Sequence, residues 1–410
     1  FSQNKKDEVS VEFNTNILQS NDDGSIVIRI IAIDNTGNRD EKTHVIYRDL
    51  DRPELTVEYD NNTPDSVFNE FYKEDRILTL KIKEMNFDPS LINVMISKNG
   101  SFMNPNLQWQ LVSGISGTIN AVYQTKLMFN EDADYEIYVS GKDMLDFDLN
   151  NFYDKFVLDK TKPTLNVSYD NNNAKNNNYF NQSRTATITI DEHNFDSSRV
   201  KIIGSAIDGG TTKTFPANNG WTRNGDSNIT VIKYNEDALY TFDIEYVDKA
   251  GNIMDNYNKE EFFIDKTVPE LIISGVEAYS ANAKKVMPVV SAKDTNYDAN
   301  ELSISLTGDH RGSIDIEGTK SPQSNGEVFA FNDMKYEKEN DDVYTIHAML
   351  NDKAGNKSEA NIVYSVNRFG STYMFSDSLS KMVNKQYNKK GQEVIFNELN
   401  VNQLVESFVK

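Results

Sequence analysis

The stretch Glu236-Asp-Ala-Leu-Tyr-Thr-Phe-Asp-Ile-Glu-Tyr-Val-Asp-Lys-Ala-Gly-Asn252 holds five carboxylates in seventeen residues. Tyr240, Phe242, Ile244 and Tyr246 alternate with Thr241, Asp243 and Glu245. A period of two describes a β-strand with one face in a core and the other in water. The remaining acids stand before and after that strand, where the chain has to turn. What the turns do is therefore the functional question.

The same turn recurs along the chain. Asp248-Lys-Ala-Gly-Asn252 is matched by Asp352 to Asn356 and by Asp34 to Asn38, with a degenerate copy at Asp143 to Asp146. The four leading aspartates are 109, 105 and 104 residues apart. Eleven residues before each stands Asp23, Asp132, Asp237 or Asp341, and eight before stands Ile26, Tyr135, Tyr240 or Tyr344. A second landmark, Glu84 to Asp88, Glu192 to Asp196 and Asp294 to Asp298, keeps the same beat, and Glu398 to Val401 is a worn fourth copy. A third is an Asp-rich junction with a proline at Pro53, Pro163 and Pro269. Three markers on one period identify a repeat.

The repeat divides the chain into part of a module at 1–50, whole modules at 51–160, 161–266 and 267–367, and the opening of another at 368–410. Both ends fall inside a repeat, which predicts a longer parent protein. Within each module short alternating runs are separated by Asn, Asp and Gly clusters, the pattern of antiparallel sandwiches. A helix is expected only at residues 377–387. The reading is all-β: tandem immunoglobulin-like sandwiches arranged as an elongated array. In it Pro163 opens strand A, where a missing N–H suits an edge. Ala186, Ile188 and Ile190 face inward on strand B, as do Leu78, Leu80 and Ile82. Phe87, Phe195 and Tyr297 plug the B–C end. Tyr135 and Tyr240 sit as tyrosine corners at the start of strand F.

Composition narrows function. Lys and Arg number 42 against 63 Asp and Glu, a formal charge of -21. That balance disfavours phosphate backbones and anionic lipid, so neither nucleic acid nor membrane insertion is expected. No apolar run is long enough to span a bilayer. With no cysteine, disulfides, thiol chemistry and zinc-thiolate sites are excluded, and each module relies on its own core. The four histidines are scattered, and no metalloprotease, nucleophile-elbow or P-loop motif occurs. No residue is assigned to catalysis or to a bound cofactor.

The junction motif at Pro163, the block Arg184 to Asp196 and the ending Tyr240 to Asn252 resemble tandem bacterial Ig-like domains of large cell-surface and secreted proteins, chiefly of Gram-positive bacteria. The resemblance spans nearly the whole chain and is specific for fold. It implies an extracellular, cell-surface or wall-attached array whose modules act as spacers, as adhesive or carbohydrate-binding units, or as accessories to a secreted carbohydrate-active enzyme. Its partners would be a host or cell-surface protein or a glycan, and the chain itself a monomer. The second module departs from the pattern by lacking Gly-Asn after Asp143, and the fourth junction, Asn367-Arg368-Phe369, lacks its proline.

Two readings of the acids stay open. In the first, the turn after strand F is a plain hairpin, its Asp closing the loop and its Gly supplying a positive φ. In the second, the E–F turn of one module meets the B–C and F–G loops of the next. The junction at Pro163 would then gather Asp132, Asp159, Glu192 and Asp248, and that at Pro269 would gather Asp237, Asp265, Asp294 and Asp352. Hard oxygen ligands converging in this way suit calcium. Paired glycosidase acids are disfavoured, because the pairs recur in every module while an active site is expected once. Trp109 and Trp221 are expected as core or edge anchors rather than sugar platforms, and a binding module should show a surface aromatic platform that its siblings lack. No Lys–Asn–acid trio stands out for an isopeptide crosslink. Uniform modules also give no reason for a deep pocket in one copy alone.

Overall fold

The computed structural model describes residues 18–21, 24–64, 68–370, 372–375 and 396–399. Alternation in the sequence becomes alternation in burial. Along Ala238–Glu245 the pattern is buried at Ala238, Tyr240, Phe242 and Ile244 and partly or fully exposed between them. Arg184–Asp191 behaves the same way, with Ala186, Ile188 and Ile190 fully buried and the threonines between them half exposed.

Between residues 164 and 264 these strands assemble into two sheets. One runs Thr164–Tyr169, Arg184–Asp191, Ser227–Tyr234, Thr222–Asn224, and the other Tyr179–Phe180, Glu260–Ile264, Ala238–Glu245, Lys201–Asp208, Thr211–Lys213. In immunoglobulin letters this is A-B-E-D against A′-G-F-C-C′. A′ pairs with G in parallel, Tyr179 opposite Phe263, while F is antiparallel to both its neighbours. Tyr234 on strand E meets Tyr240 and Phe262 of the other sheet edge-on, each with ring centroids 5.0 Å apart. The same two sheet orders recur over 54–158 and 270–366. Their cores likewise draw on both sheets: Leu80 and Phe129 with Ile137 and Phe156 in the one, Val290 and Phe329 with Ile346 and Tyr364 in the other.

Tyrosine corners close all three E–F turns. Tyr135 donates to the Glu131 carbonyl at 3.0 Å, Tyr240 to Glu236 at 2.9 Å and Tyr344 to Asn340 at 2.8 Å. Ile137, Phe242 and Ile346, two residues later, are buried where an antibody domain would carry a cysteine. Phe87 stacks on Tyr123 at 4.3 Å and meets Trp109 at 5.2 Å, so this tryptophan is an anchor packed against the core. Before the first sandwich, Ser25–Ile33 pairs with Arg39–Tyr47 as a hairpin whose strands are largely exposed on both faces. After the last, Thr372–Phe375 pairs with Phe396–Leu399, placing Glu398 of the worn landmark in a strand. The expected helix at 377–387 lies outside the described residues. Among the described residues no helix is long and apolar enough to cross a membrane.

Contacts gather the chain into two compact units. One is Phe1–Thr164 with Asp191–Val200 and Tyr246–Asp255, and the other is Leu165–Ile190 with Lys201–Glu245 and Asn256–Lys410. Each acidic cluster described next lies wholly inside one of them.

Candidate metal centres

Three trios of carboxylates converge, each with one oxygen per residue within 4.8 Å of the others: Asp49, Glu84 and Asp143; Asp159, Glu192 and Asp248; Asp265, Asp294 and Asp352. All are at least nine-tenths buried except Asp49, which is half-buried. Local chemistry places each member. The first of each trio stands four residues before its module's proline, and in the later two its Oδ1 caps the turn by accepting from Thr161 N or Thr267 N. The second follows strand B, and its carboxylate accepts from the N–H two residues on: Asn86 at 2.9 Å, Asn194 at 2.6 Å and Asn296 at 2.6 Å. The third closes the turn after strand F. Asp248 Oδ1 accepts from Asn252 N and Oδ2 from Asn252 Nδ2, and Asp352 holds Asn356 identically.

Asparagines stitch the trios together. Asn86 and Asn296 donate to the first carboxylate, Asp49 at 2.6 Å and Asp265 at 2.7 Å. Asn252 and Asn356 reach the backbone carbonyls of Asp159 and Asp265 at 3.0 and 2.9 Å. These four residues were not singled out from the sequence, although they sit inside the landmarks. Their recurrence at the third place of one motif and the fifth of the other was the available signal.

Sequence reasoning correctly brought together six of its eight acids. Asp132 and Asp237 stand outside the trios, because each is taken by the junction threonine, Thr161 Oγ1 and Thr267 Oγ1 donating at 2.6 Å. The trio at Asp49 was missed. Two aspartates, Asp49 and Asp51, precede Pro53, and counting four residues back from each proline gives Asp49, Asp159 and Asp265. The F–G turn is a hairpin in which Gly251 has φ +87° and Gly355 +82°, and its Asp also belongs to a carboxylate trio. Asp34 supplies a control. It closes the same turn through Thr36 and Asn38 in an exposed setting, outside any carboxylate trio among the described residues.

Burial and mutual repulsion raise the acids. Desolvation, with the charges of Asp49 and Asp143, pushes Glu84 up to about 7. Desolvation, then Asp159 and Asp248, lifts Glu192 to about 7. Asp159 and Asp265 rise to about 6, and Asp248 and Asp294 also rise, burial being the largest cause in each. Two oxygens bound to one calcium at 2.3–2.6 Å are at most about 5 Å apart, so a 4.8 Å trio matches that span. The donor set is entirely hard oxygen. In the first trio Asp143 Oδ1 accepts from Leu145 N and Phe147 N, while its buried Oδ2 has no hydrogen-bond partner. An orphaned buried carboxylate oxygen fits a cation.

No protein-family model matches the chain, and no curated protein sequence matches it. Among solved structures, 81 chains match. They include tandem Ig domains of titin, at 8% identity over 50% of this chain and 99% of that one with a TM-score of 0.23. The extracellular cadherin domains 3–6 of protocadherin gamma B2 match at 12% identity over 84% and 83%, with a TM-score of 0.25. Tandem Ig repeats of Dlar match at 11% identity over 50% and 97%, with a TM-score of 0.13. The strand order within each sandwich, rather than these matches, establishes tandem Ig-like modules.

Proposed function

We propose that this chain is a non-catalytic run of Ig-like modules, at 51–160, 161–266 and 267–367, serving as a semi-rigid spacer in an extracellular surface protein. In this reading calcium bound by the acidic trios stiffens the joints. The observation that carries it is recurrence: the same three positions converge at all three junction prolines. Asp159, Glu192 and Asp248 would hold one ion, and the other trios one each. The ion would offset the repulsion that otherwise raises these acids, tying strand G's exit to the B–C and F–G loops that follow.

The surroundings of the joints at Pro163 and Pro269 support stiffness. Lys249 lies 5.6 and 5.4 Å from the rings of Phe68 and Phe71, and Lys353 lies 5.8 Å from Tyr179. Only three residues separate Asp159 from Pro163 and Asp265 from Pro269. Small-angle scattering and calorimetric titration with calcium and with chelator test the reading. An extended rod in calcium, looser in chelator, with three ions per chain supports it. A compact particle, or no calcium uptake, refutes it.

A second reading, glycan binding, is favoured by one surface. Phe102, Tyr138 and Tyr153 form a row across the first sandwich, centroids 6.2 and 4.8 Å apart, with Phe102 and Tyr153 more than half exposed. The corresponding strand F positions in the siblings are Asp243 and His347, three residues after each corner tyrosine. Retention on neutral polysaccharides that is lost in Tyr153→Ser would establish this second role. Equal retention of the variant would remove it.

A further inference from the structure

Asparagine followed by glycine occurs four times: Asn99-Gly100, Asn219-Gly220, Asn224-Gly225 and Asn325-Gly326. Such a step can modify itself. The glycine nitrogen attacks the asparagine Cγ, a C–N bond closes a cyclic imide, and the side-chain nitrogen leaves as ammonia. Water then opens the ring, giving aspartate or isoaspartate, in which the main chain runs through the side chain. Water is the only co-reactant. The attack needs a side-chain amide free to swing and a glycine nitrogen open to it, so the fold decides which of the four can react.

Three are held. Asn99 Oδ1 accepts from Asp134 N at 2.8 Å and Asn99 N donates to the Asp134 carbonyl at 2.9 Å, which ties the residue to strand F by side chain and main chain alike. Asn219 Oδ1 accepts from Val231 N at 3.0 Å and from Thr230 Oγ1 at 3.2 Å. Gly220 N, which would have to attack it, is already donating to Asn218 Oδ1 at 3.0 Å. Gly326 is buried against the strand Val289–Lys293, so closely that a β-carbon there would stand 2.0 Å from the Ala292 carbonyl oxygen. The Asn325 carbonyl accepts from Asp294 N at 2.9 Å and fixes the step in place.

Asn224 is not held. It ends Thr222–Asn224, the edge strand D of its sandwich, and pairs with Ser227 across the two-residue turn Gly225-Asp226. Gly225 takes φ +63°, which a turn of this length asks of a glycine. Residues 222–226 are exposed, and nothing lies within 4 Å of the place a β-carbon on Gly225 would occupy. Arg223 Nε donates to the Gly225 carbonyl at 2.8 Å, a bond that leaves Gly225 N untouched. Among the described residues neither the Asn224 side-chain amide nor Gly225 N has a hydrogen-bond partner.

We infer that Asn224 is a site of spontaneous conversion to aspartate and isoaspartate in the folded chain, and that the fold silences the other three steps. The product places a new carboxylate beside Asp226. Isoaspartate also lengthens the main chain at the Asn224–Ser227 pair and shifts strand D against strand E, its one partner in the sheet. The change stays at the sheet's edge, away from the core and the acidic trios, and it depends on neither the spacer nor the calcium reading.

The test ages the whole chain at pH 8, with peptide mass spectrometry reading amide loss at each of the four asparagines and chromatography separating the two products. Hydrogen bonds that must break before attack slow it, so Asn224 should convert about tenfold faster or more than Asn99, Asn219 and Asn325. In urea the four rates should converge, because the reacting dipeptide is the same in each. Asn224→Gln, whose longer side chain disfavours the ring, should remove the fast conversion without altering the melting point. Conversion at Asn224 no faster than at the other three, or the same ranking of rates in urea as in the folded chain, overturns the inference.

Discussion

Replacing Glu192 by Gln separates the cost of an empty acidic trio from its use. In the metal-free protein burial and the neighbouring Asp159 and Asp248 charges hold Glu192 at about 7, against 4.5 ordinarily. A folded pKa above the unfolded one means the native state binds more protons between those values. Stability therefore falls as pH climbs from about 4.5 to 7, and the penalty is complete above 7. At about 1.4 kcal/mol per unit the rise amounts to roughly 3 kcal/mol, an upper figure because Asp159 titrates with it. A glutamine keeps the oxygen that accepts from Asn194 N but carries no charge. In chelator at pH 8 the variant should therefore melt higher, by roughly 10 °C for a module of about 100 residues. At pH 4 the two proteins should melt together. In saturating calcium the order should reverse, the variant having lost one ligand, and titration should count two ions rather than three. Calorimetry across this pH range reads all of it. A variant that melts no higher than wild type in chelator at pH 8, or that still takes up three ions, would refute the reasoning.

The remaining expectations concern the scaffold and the stitching. Arg184→Met removes a guanidinium stacked on three rings and leaves the Asn171 carbonyl, which accepts from Arg184 Nε at 2.9 Å, unpaired; urea unfolding should show a loss of about 2–4 kcal/mol. Tyr240→Phe deletes only the corner bond to Glu236 and should cost about 1 kcal/mol by the same assay. Asn252→Ala removes the bridge between Asp248 and the Asp159 carbonyl, so it should lower the melting point and weaken calcium uptake at that trio while sparing the other two, as titration would show. Gly251→Ala forces a β-carbon into φ +87° and should cost about 1 kcal/mol with uptake retained.

Most of the fold was legible because sandwich strands carry their own signal. Alternation at Tyr240, Phe242 and Ile244 fixes which face is buried whatever the partner strand. The corner at Tyr240 is equally local, its hydroxyl bonding four residues back. Six of the acids could be grouped because the repeat locates loops, and a sandwich puts particular loops at the same end. The trio at Asp49 escaped because two aspartates, Asp49 and Asp51, precede Pro53, and only the fold shows that Asp49 meets Glu84 and Asp143. Asp132 and Asp237 were misplaced because a threonine hydroxyl at hydrogen-bond distance outcompetes convergence that looks plausible from topology alone.

By itself, then, the chain's order of residues determined the module, its period, the inward faces and the absence of thiol chemistry, since each is a property of neighbours along the backbone. Tertiary structure decided which oxygens lie within 4.8 Å of each other, which carboxylate oxygen is left without a donor at Asp143, and that a cavity of about 450 Å³ opens beside Val286, Leu306 and Tyr364. Convergence and cavities are sums over side chains far apart in sequence. Asp159, Glu192 and Asp248 are unremarkable singly and form a cluster only when the turns that carry them are brought together.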